Sequence, residues 1–147
     1  MTHIECAITI ARPPADVFHV VSTPELATRW SSNAIEEHVT TSGPLGIGSR
    51  RRATVRRFGG GTTENEIEVT AYEPGRHLAV RSVEAPVPFT SAWTVTPAGD
   101  GSHIDWRWDF ELDGALSLLG PFLVVSFRRT FEADLARLKS LMEAGDL

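Results

Sequence analysis

Residues 120–142 read GPFLVVSFRRTFEADLARLKSLM, and the spacing of the apolar side chains there decides how the rest of the chain is read. Leu119, Leu123, Phe127, Phe131, Leu135, Leu138 and Met142 recur in steps of three and four, which places them along one face of a helix. Pro121 suits a first helical turn, where no N–H is needed, and Gly145 stands where the chain leaves the helix. Arg128, Arg129, Glu132, Asp134, Arg137, Lys139 and Glu143 are assigned to the opposite face, with Arg128 and Glu132 spaced for a weak surface pair. A helix with one long apolar face needs a cover, and the segments before Phe110 read as strands.

The first of these, His3 to Ala11, alternates with period two and puts Ile4, Cys6, Ile8 and Ile10 on one side. Pro13-Pro14 stops it. A short helix follows with Val17, Phe18 and Val21 inward, then a second from Pro24 to Trp30 that Thr23 is placed to cap. From Ala34 the pattern is strands: 34–40, 49–58, 63–72, 77–84, 89–96 and 103–111, separated by turns rich in glycine and proline. Phe58-Gly-Gly-Gly-Thr is read as a hairpin connection. The last strand alternates most cleanly, with Ile104, Trp106, Trp108 and Phe110 against His103, Asp105, Arg107 and Asp109. Short connections imply antiparallel neighbours. The expected fold class is α+β: a bent antiparallel sheet of about seven strands wrapped around the long C-terminal helix, with two short helices after the first strand, all in one domain spanning residues 1–147.

Composition narrows the functional classes. With 41% hydrophobic and 22% charged residues the chain is globular rather than disordered. No apolar run reaches the roughly 18 residues of a membrane span. A net charge of −5 argues against nucleic acid as a partner. One cysteine, Cys6, and an N-terminus without a charged-then-apolar leader lead to the expectation of a cytoplasmic location. The histidines lack metal-ligand spacing and Gly43, Gly46 and Gly48 precede a strand rather than a helix, so neither a metal nor a dinucleotide cofactor is expected.

The order of elements, together with specific segments, resembles the polyketide cyclase/dehydrase branch of the START-like (SRPBCC) superfamily, whose fold is the helix grip. The matching segments are Pro14-Ala-Asp-Val-Phe, Pro24-Glu-Leu with Trp30, Leu45-Gly-Ile-Gly-Ser-Arg, Gly101-Ser-His-Ile-Asp-Trp and the Gly120-Pro121 break. Ser22-Thr23 departs from the pattern where members often carry an Asp, and Trp30-Ser-Ser-Asn lacks a frequent Trp-Pro pair. The resemblance implies a cavity between sheet and terminal helix that takes a hydrophobic small molecule. Members include aromatic polyketide cyclases, lipid and sterol carriers, quinone-binding proteins and chaperone activators, and fold alone does not choose among them.

Candidate residues follow from strand parity. Trp30, Phe89, Trp93, Trp106, Trp108 and Phe110, with Ile67 and Val69 on a neighbouring strand and Leu123 and Phe127 on the helix, are expected to line the cavity or to fill an ordinary core. Polar residues that share those faces are more telling, because a buried charge needs a partner. They are Glu37, Arg51, Arg57, Asn65, Glu84 and Ser91. Glu37 with Arg57 and Arg51 forms the candidate catalytic set, one group acting as acid and another stabilising negative charge; a strand end reaching solvent, or an internal ion pair with no ligand, is the plainer alternative. Arg50, Arg52 and Arg56 are expected to pair across strands with Glu64, Glu66 and Glu68.

Three functions follow from this reading. The first is a carrier or sensor for a small hydrophobic or aromatic ligand, polyketide-like or lipid-like. The second is a cofactor-independent polyketide cyclase, dehydratase or aromatase. The third is an interaction module working through its surface, which requires an exposed apolar patch larger than Leu116 to Leu119. The chain is expected to act as a monomer or homodimer with a small hydrophobic molecule as its partner.

Overall fold

Alternating apolar and polar side chains commit the strands to one curved sheet, and the computed structural model describes residues 2–57 and 60–147 of it. The elements are β1 (Thr2–Ile10), α1 (Pro14–Ser22), a 3-10 turn (Pro24–Leu26) running into α2 (Ala27–Trp30), β2 (Ala34–Val39), β3 (Arg50–Arg56), β4 (Thr62–Glu73), β5 (His77–Glu84), β6 (Phe89–Ala98), β7 (Gly101–Phe110), α3 (Gly114–Leu118) and α4 (Gly120–Glu143). The seven strands form one antiparallel sheet in the order β1-β7-β6-β5-β4-β3-β2. Only the β1–β7 pairing joins strands distant in sequence, and it sets Ile4 opposite Trp108, Cys6 opposite Trp106 and Ile8 opposite Ile104. The α+β helix-grip architecture expected from the sequence is the one observed. The short α3 is additional to it, and the proposed hairpin over residues 58–62 lies partly outside the described residues.

The two halves of α4 do different work. Leu135, Leu138 and Met142 are buried to within 1% and belong to the core cluster with Ile4, Ile10 and Val17. Toward its N-terminus the same stripe continues as Phe131, also buried in that cluster, and Phe127, and both of these line open space. A helix of about 10 Å diameter cannot fill the full width of a curved seven-stranded sheet, and the unfilled end is the cavity.

Polar side chains of α4 also cover the free edge of β1. Arg128 Nη1 donates to the Glu5 carbonyl at 3.1 Å, Lys139 Nζ to the Thr9 carbonyl at 2.7 Å, and the Ala11 N–H donates to the Glu143 carboxylate at 2.8 Å. An edge strand whose carbonyls are occupied in this way is a poor template for pairing with another chain. Arg128 therefore serves β1 rather than pairing with Glu132 as the spacing suggested.

Three further expectations change on contact with the structure. Asp134, assigned to the polar face, is fully buried. The Thr23 hydroxyl bonds back to the His19 carbonyl at 2.6 Å and caps nothing downstream. Alternation along 34–40 puts Ile35 on the same face as Glu37 and Val39, but a register shift between Ala34 and Glu36 turns Ile35 outward, to 40% exposure. The expected cross-strand pairs form at Arg50 with Glu66 and Glu68, at 3.6 and 3.1 Å, and at Arg52 with Glu64, at 3.3 Å. Arg56 departs from them and donates to the Ser32 carbonyl. Phe122 and Val125 extend the exposed apolar surface beyond the Leu116 to Leu119 segment, with Phe122 81% exposed. No helix among the described residues is long and apolar enough to cross a membrane.

Candidate functional site

Register across β6 and β7 builds the floor of the cavity. Trp93 lies opposite Trp106, Ser91 opposite Trp108 and Phe89 opposite Phe110, so alternate residues of both strands aim aromatic rings at the same side of the sheet. Trp93 and Trp106 stack at 4.1 Å between ring centres, and Trp30 of α2 meets both edge-on at 5.5 and 5.9 Å. Trp108 lies between Phe110, at 5.5 Å, and Phe131 of α4, at 5.1 Å, stacked on both. The cavity left among these rings has a volume of about 400 Å³, within the roughly 300–1,000 Å³ of ordinary small-molecule sites. Val21, Pro24 and Ala27 close one wall, and Pro86, Val87 and Leu116 stand at its rim.

Polar groups enter from β2, β3 and β4. Glu37 lies opposite Ala53, and Arg51 lies opposite Val39 on one side and Ile67 on the other. The Glu37 and Arg51 side chains are only 11% and 17% exposed, with Arg51 Nε 3.6 Å from Glu37 Oε1. That separation is an ion pair but too long for a hydrogen bond. Burial pushes the Glu37 carboxyl above its ordinary range, opposed by the Arg51 guanidinium and assisted by the negative charge of Glu25. A carboxyl held in this way, on a cavity wall and beside a cation, is suited to exchange a proton with a bound molecule.

Four buried side-chain atoms among the described residues have no hydrogen-bond partner in the protein: Trp30 Nε1, Trp108 Nε1, Arg51 Nε and Asn65 Oδ1. All four belong to residues that line the cavity. Trp106 differs, because its Nε1 donates to Ser91 Oγ at 3.1 Å.

Asp134 ties α4 to the segment that carries Trp30. Its carboxylate accepts the Ser32 N–H at 3.0 Å and stands 3.7 Å from Arg137 Nη1, which itself donates to the Trp30 carbonyl at 3.2 Å. Burial raises the Asp134 pKa, and the bonds from Ser32 and the charge of Arg137 pull it back.

Of the residues singled out from sequence, Trp30, Glu37, Arg51, Arg57, Asn65, Ile67, Phe89, Ser91, Trp93, Trp106, Trp108, Phe110 and Phe127 line this one cavity. Arg57 lies past the end of β3 and is exposed, at the rim rather than beside Glu37. Three residues are not brought to it. Glu84 is exposed, because a register shift between Ile67↔Ser82 and Glu66↔Glu84 inserts an extra residue and reverses the parity that Val80 had set. Val69 is buried against Leu45 in a separate small crevice. Leu123 is buried but outside the lining. Phe131 was visible in the helical stripe but not singled out. Ser31 and Asn33 carried no periodic signal, being loop residues.

Comparison with known proteins agrees with this fold. TTHA0849 of Thermus thermophilus superposes with a TM-score of 0.82 at 17% identity, over 99% of both chains. The di-domain ARO/CYC protein StfQ of the steffimycin biosynthetic pathway superposes with a TM-score of 0.77 at 12% identity, this chain covering 52% of it and being 99% covered itself. At these identities the likeness is one of fold. Rv2574, an uncharacterised protein of Mycobacterium tuberculosis, is 27% identical over 130 residues, 83% of this chain and 75% of that protein. The family model described as polyketide cyclase / dehydrase and lipid transport matches residues 1–143. The chain belongs to the polyketide cyclase/dehydrase and lipid transport family.

Proposed function

We propose that this chain binds a small hydrophobic or aromatic molecule in the cavity between the sheet and α4, as a carrier or sensor. The observation that carries the reading is the aromatic-walled space of about 400 Å³ beside Phe127 and Phe131. A core built for stability alone is packed without voids of this size, because each loses contact energy along its lining. The aromatic rings on the lining, among them Trp30, Phe89, Trp106 and Phe127, suit an aromatic ligand. Titration with the neutral fluorescent probe N-phenyl-1-naphthylamine tests this. Saturable binding at one site, lost in Ala53→Phe, is expected, since Ala53 of β3 is 2% exposed and lines the cavity, so a larger ring there occupies the space. Failure of the probe to bind refutes the reading.

A second reading is favoured by the Glu37–Arg51 pair: proton transfer on a bound polyketone, as in a cofactor-independent cyclase or dehydratase. Glu37 as carboxylate removes a proton from an activated methylene, and the Arg51 cation stabilises the enolate. The enolate carbon forms a bond to a second carbonyl, whose oxygen then receives the proton from Glu37. Loss of water completes an aromatic ring. Glu37→Gln preserves probe binding and abolishes turnover of a poly-β-ketone if this chemistry operates; unchanged turnover removes Glu37 from it.

A further inference from the structure

The four buried atoms without a hydrogen-bond partner in the protein, Arg51 Nε among them despite its ion pair with Glu37, say more about the occupant than the aromatic walls do. Among the described residues every such atom lies on the cavity lining, and three of the four are donors: the indole N–H groups of Trp30 and Trp108 and the Nε–H of Arg51. The fourth, Asn65 Oδ1, is an acceptor. Building on the ligand-binding reading, we infer that the cavity selects a flat ligand with at least two acceptor oxygens and a hydroxyl on its rim, with Trp30, Trp108 and Arg51 donating and Asn65 accepting.

The argument rests on what binding displaces. Water entering the cavity can serve these atoms while no ligand is bound. A pure hydrocarbon that expels the water gains apolar contact but strands three donors and an acceptor, and stranded buried groups penalise binding strongly. An oxygenated ring system of the same outline makes the same apolar contacts and replaces the lost bonds. A molecule with a single polar end, such as a sterol or a long-chain alcohol, satisfies one or two of the four. Trp30 is 4% exposed and has two tryptophans packed edge-on against it, so its N–H cannot readily turn to bulk solvent. Trp106 supplies the internal contrast: its N–H is already spent on Ser91, so it is available only as apolar wall.

Displacement of N-phenyl-1-naphthylamine by 7-hydroxycoumarin and by naphthalene, two flat bicyclic molecules of similar outline, tests the inference. The hydroxycoumarin is expected to bind at least tenfold more tightly, about a factor of ten for each hydrogen bond recovered. Trp108→Phe and Arg51→Met each narrow the ratio between the two ligands. Using a ratio within each variant cancels any general loosening of the fold, and the wild-type ratio decides the matter if a variant does not fold. Equal affinities, or a ratio that Trp108→Phe and Arg51→Met do not move, overturn the inference while the cavity reading stands. Failure of the probe itself to bind removes both.

Discussion

Replacing Trp106 by alanine probes the packing and the cavity wall in one experiment. Its ring is 4% exposed, stacks on Trp93 at 4.1 Å and meets Phe131, Trp108 and Trp30 at 4.8, 5.5 and 5.9 Å. Removing a buried aromatic side chain costs about 3–5 kcal/mol. The four aromatic neighbours, each pair worth about 0.5–1.5 kcal/mol beyond area, push the value up. The adjoining cavity of about 400 Å³ pushes it down, because Trp30 and Phe131 have room to relax into the gap. The balance places the loss at about 3–4 kcal/mol, and at roughly 2–4 °C per kcal/mol for a domain of this size the melting temperature falls by roughly 6–16 °C. Urea denaturation followed by circular dichroism measures the first quantity, with the slope held common to both proteins. Titration with N-phenyl-1-naphthylamine measures the accompanying loss of affinity. A destabilisation below about 1 kcal/mol would refute the packing argument. Full destabilisation with unchanged probe affinity would show that Trp106 is core and not cavity wall.

The remaining predictions concern residues around that centre. The folded pKa of Glu37 is raised above its ordinary 4.5, so its contribution to stability is fully present below that value and is lost as pH rises through the folded pKa. Across a denaturation series from about pH 4 to about pH 8, Glu37→Gln should lose less stability than the wild type; parallel curves would show that the carboxyl is not perturbed. Asp134→Ala strands the Ser32 N–H and should cost about 1–3 kcal/mol. It should also weaken probe binding, because Trp30 loses its anchor to α4, whereas Asp134→Asn, which keeps an acceptor, should do less; equal effects of the two variants would contradict the anchoring role. Gly101→Ala places a Cβ 2.4 Å from the Ile10 carbonyl oxygen, a backbone atom at the end of the β1–β7 pairing. It should destabilise by about 1–3 kcal/mol, and a neutral result would disprove the close approach.

Most strands were legible because they bury one face, so period-two alternation survives in residues such as Ile104, Trp106, Trp108 and Phe110, whereas β2 buries no residue fully. The long helix was legible for the same reason at period 3.6. Parity also brought Glu37, Arg51, Asn65 and Ser91 together on the right side of the sheet. It failed at Glu84 because one inserted residue reverses every side chain beyond it, and no residue near Val83 announces a bulge. Asp134 was misassigned although a signal existed. It sits three residues after Phe131 and four before Leu138, on the flank of the apolar stripe, where a carboxylate must find donors. Those donors come from Ser31 and Ser32 more than 100 positions earlier in the chain, a pairing that only the fold reveals. The unpartnered atoms of Trp30, Trp108, Arg51 and Asn65 were likewise beyond sequence, since a residue type does not show which hydrogen bonds it makes.

Everything proposed above turns on whether the space beside Phe127 and Phe131 holds a small apolar or aromatic molecule. Native mass spectrometry of the protein purified from its own host, followed by denaturation to release and weigh whatever it retains, tests this most directly. The expected result is a bound small molecule that leaves on unfolding and that Ala53→Phe no longer retains. A protein that arrives empty and also fails to bind N-phenyl-1-naphthylamine would contradict it.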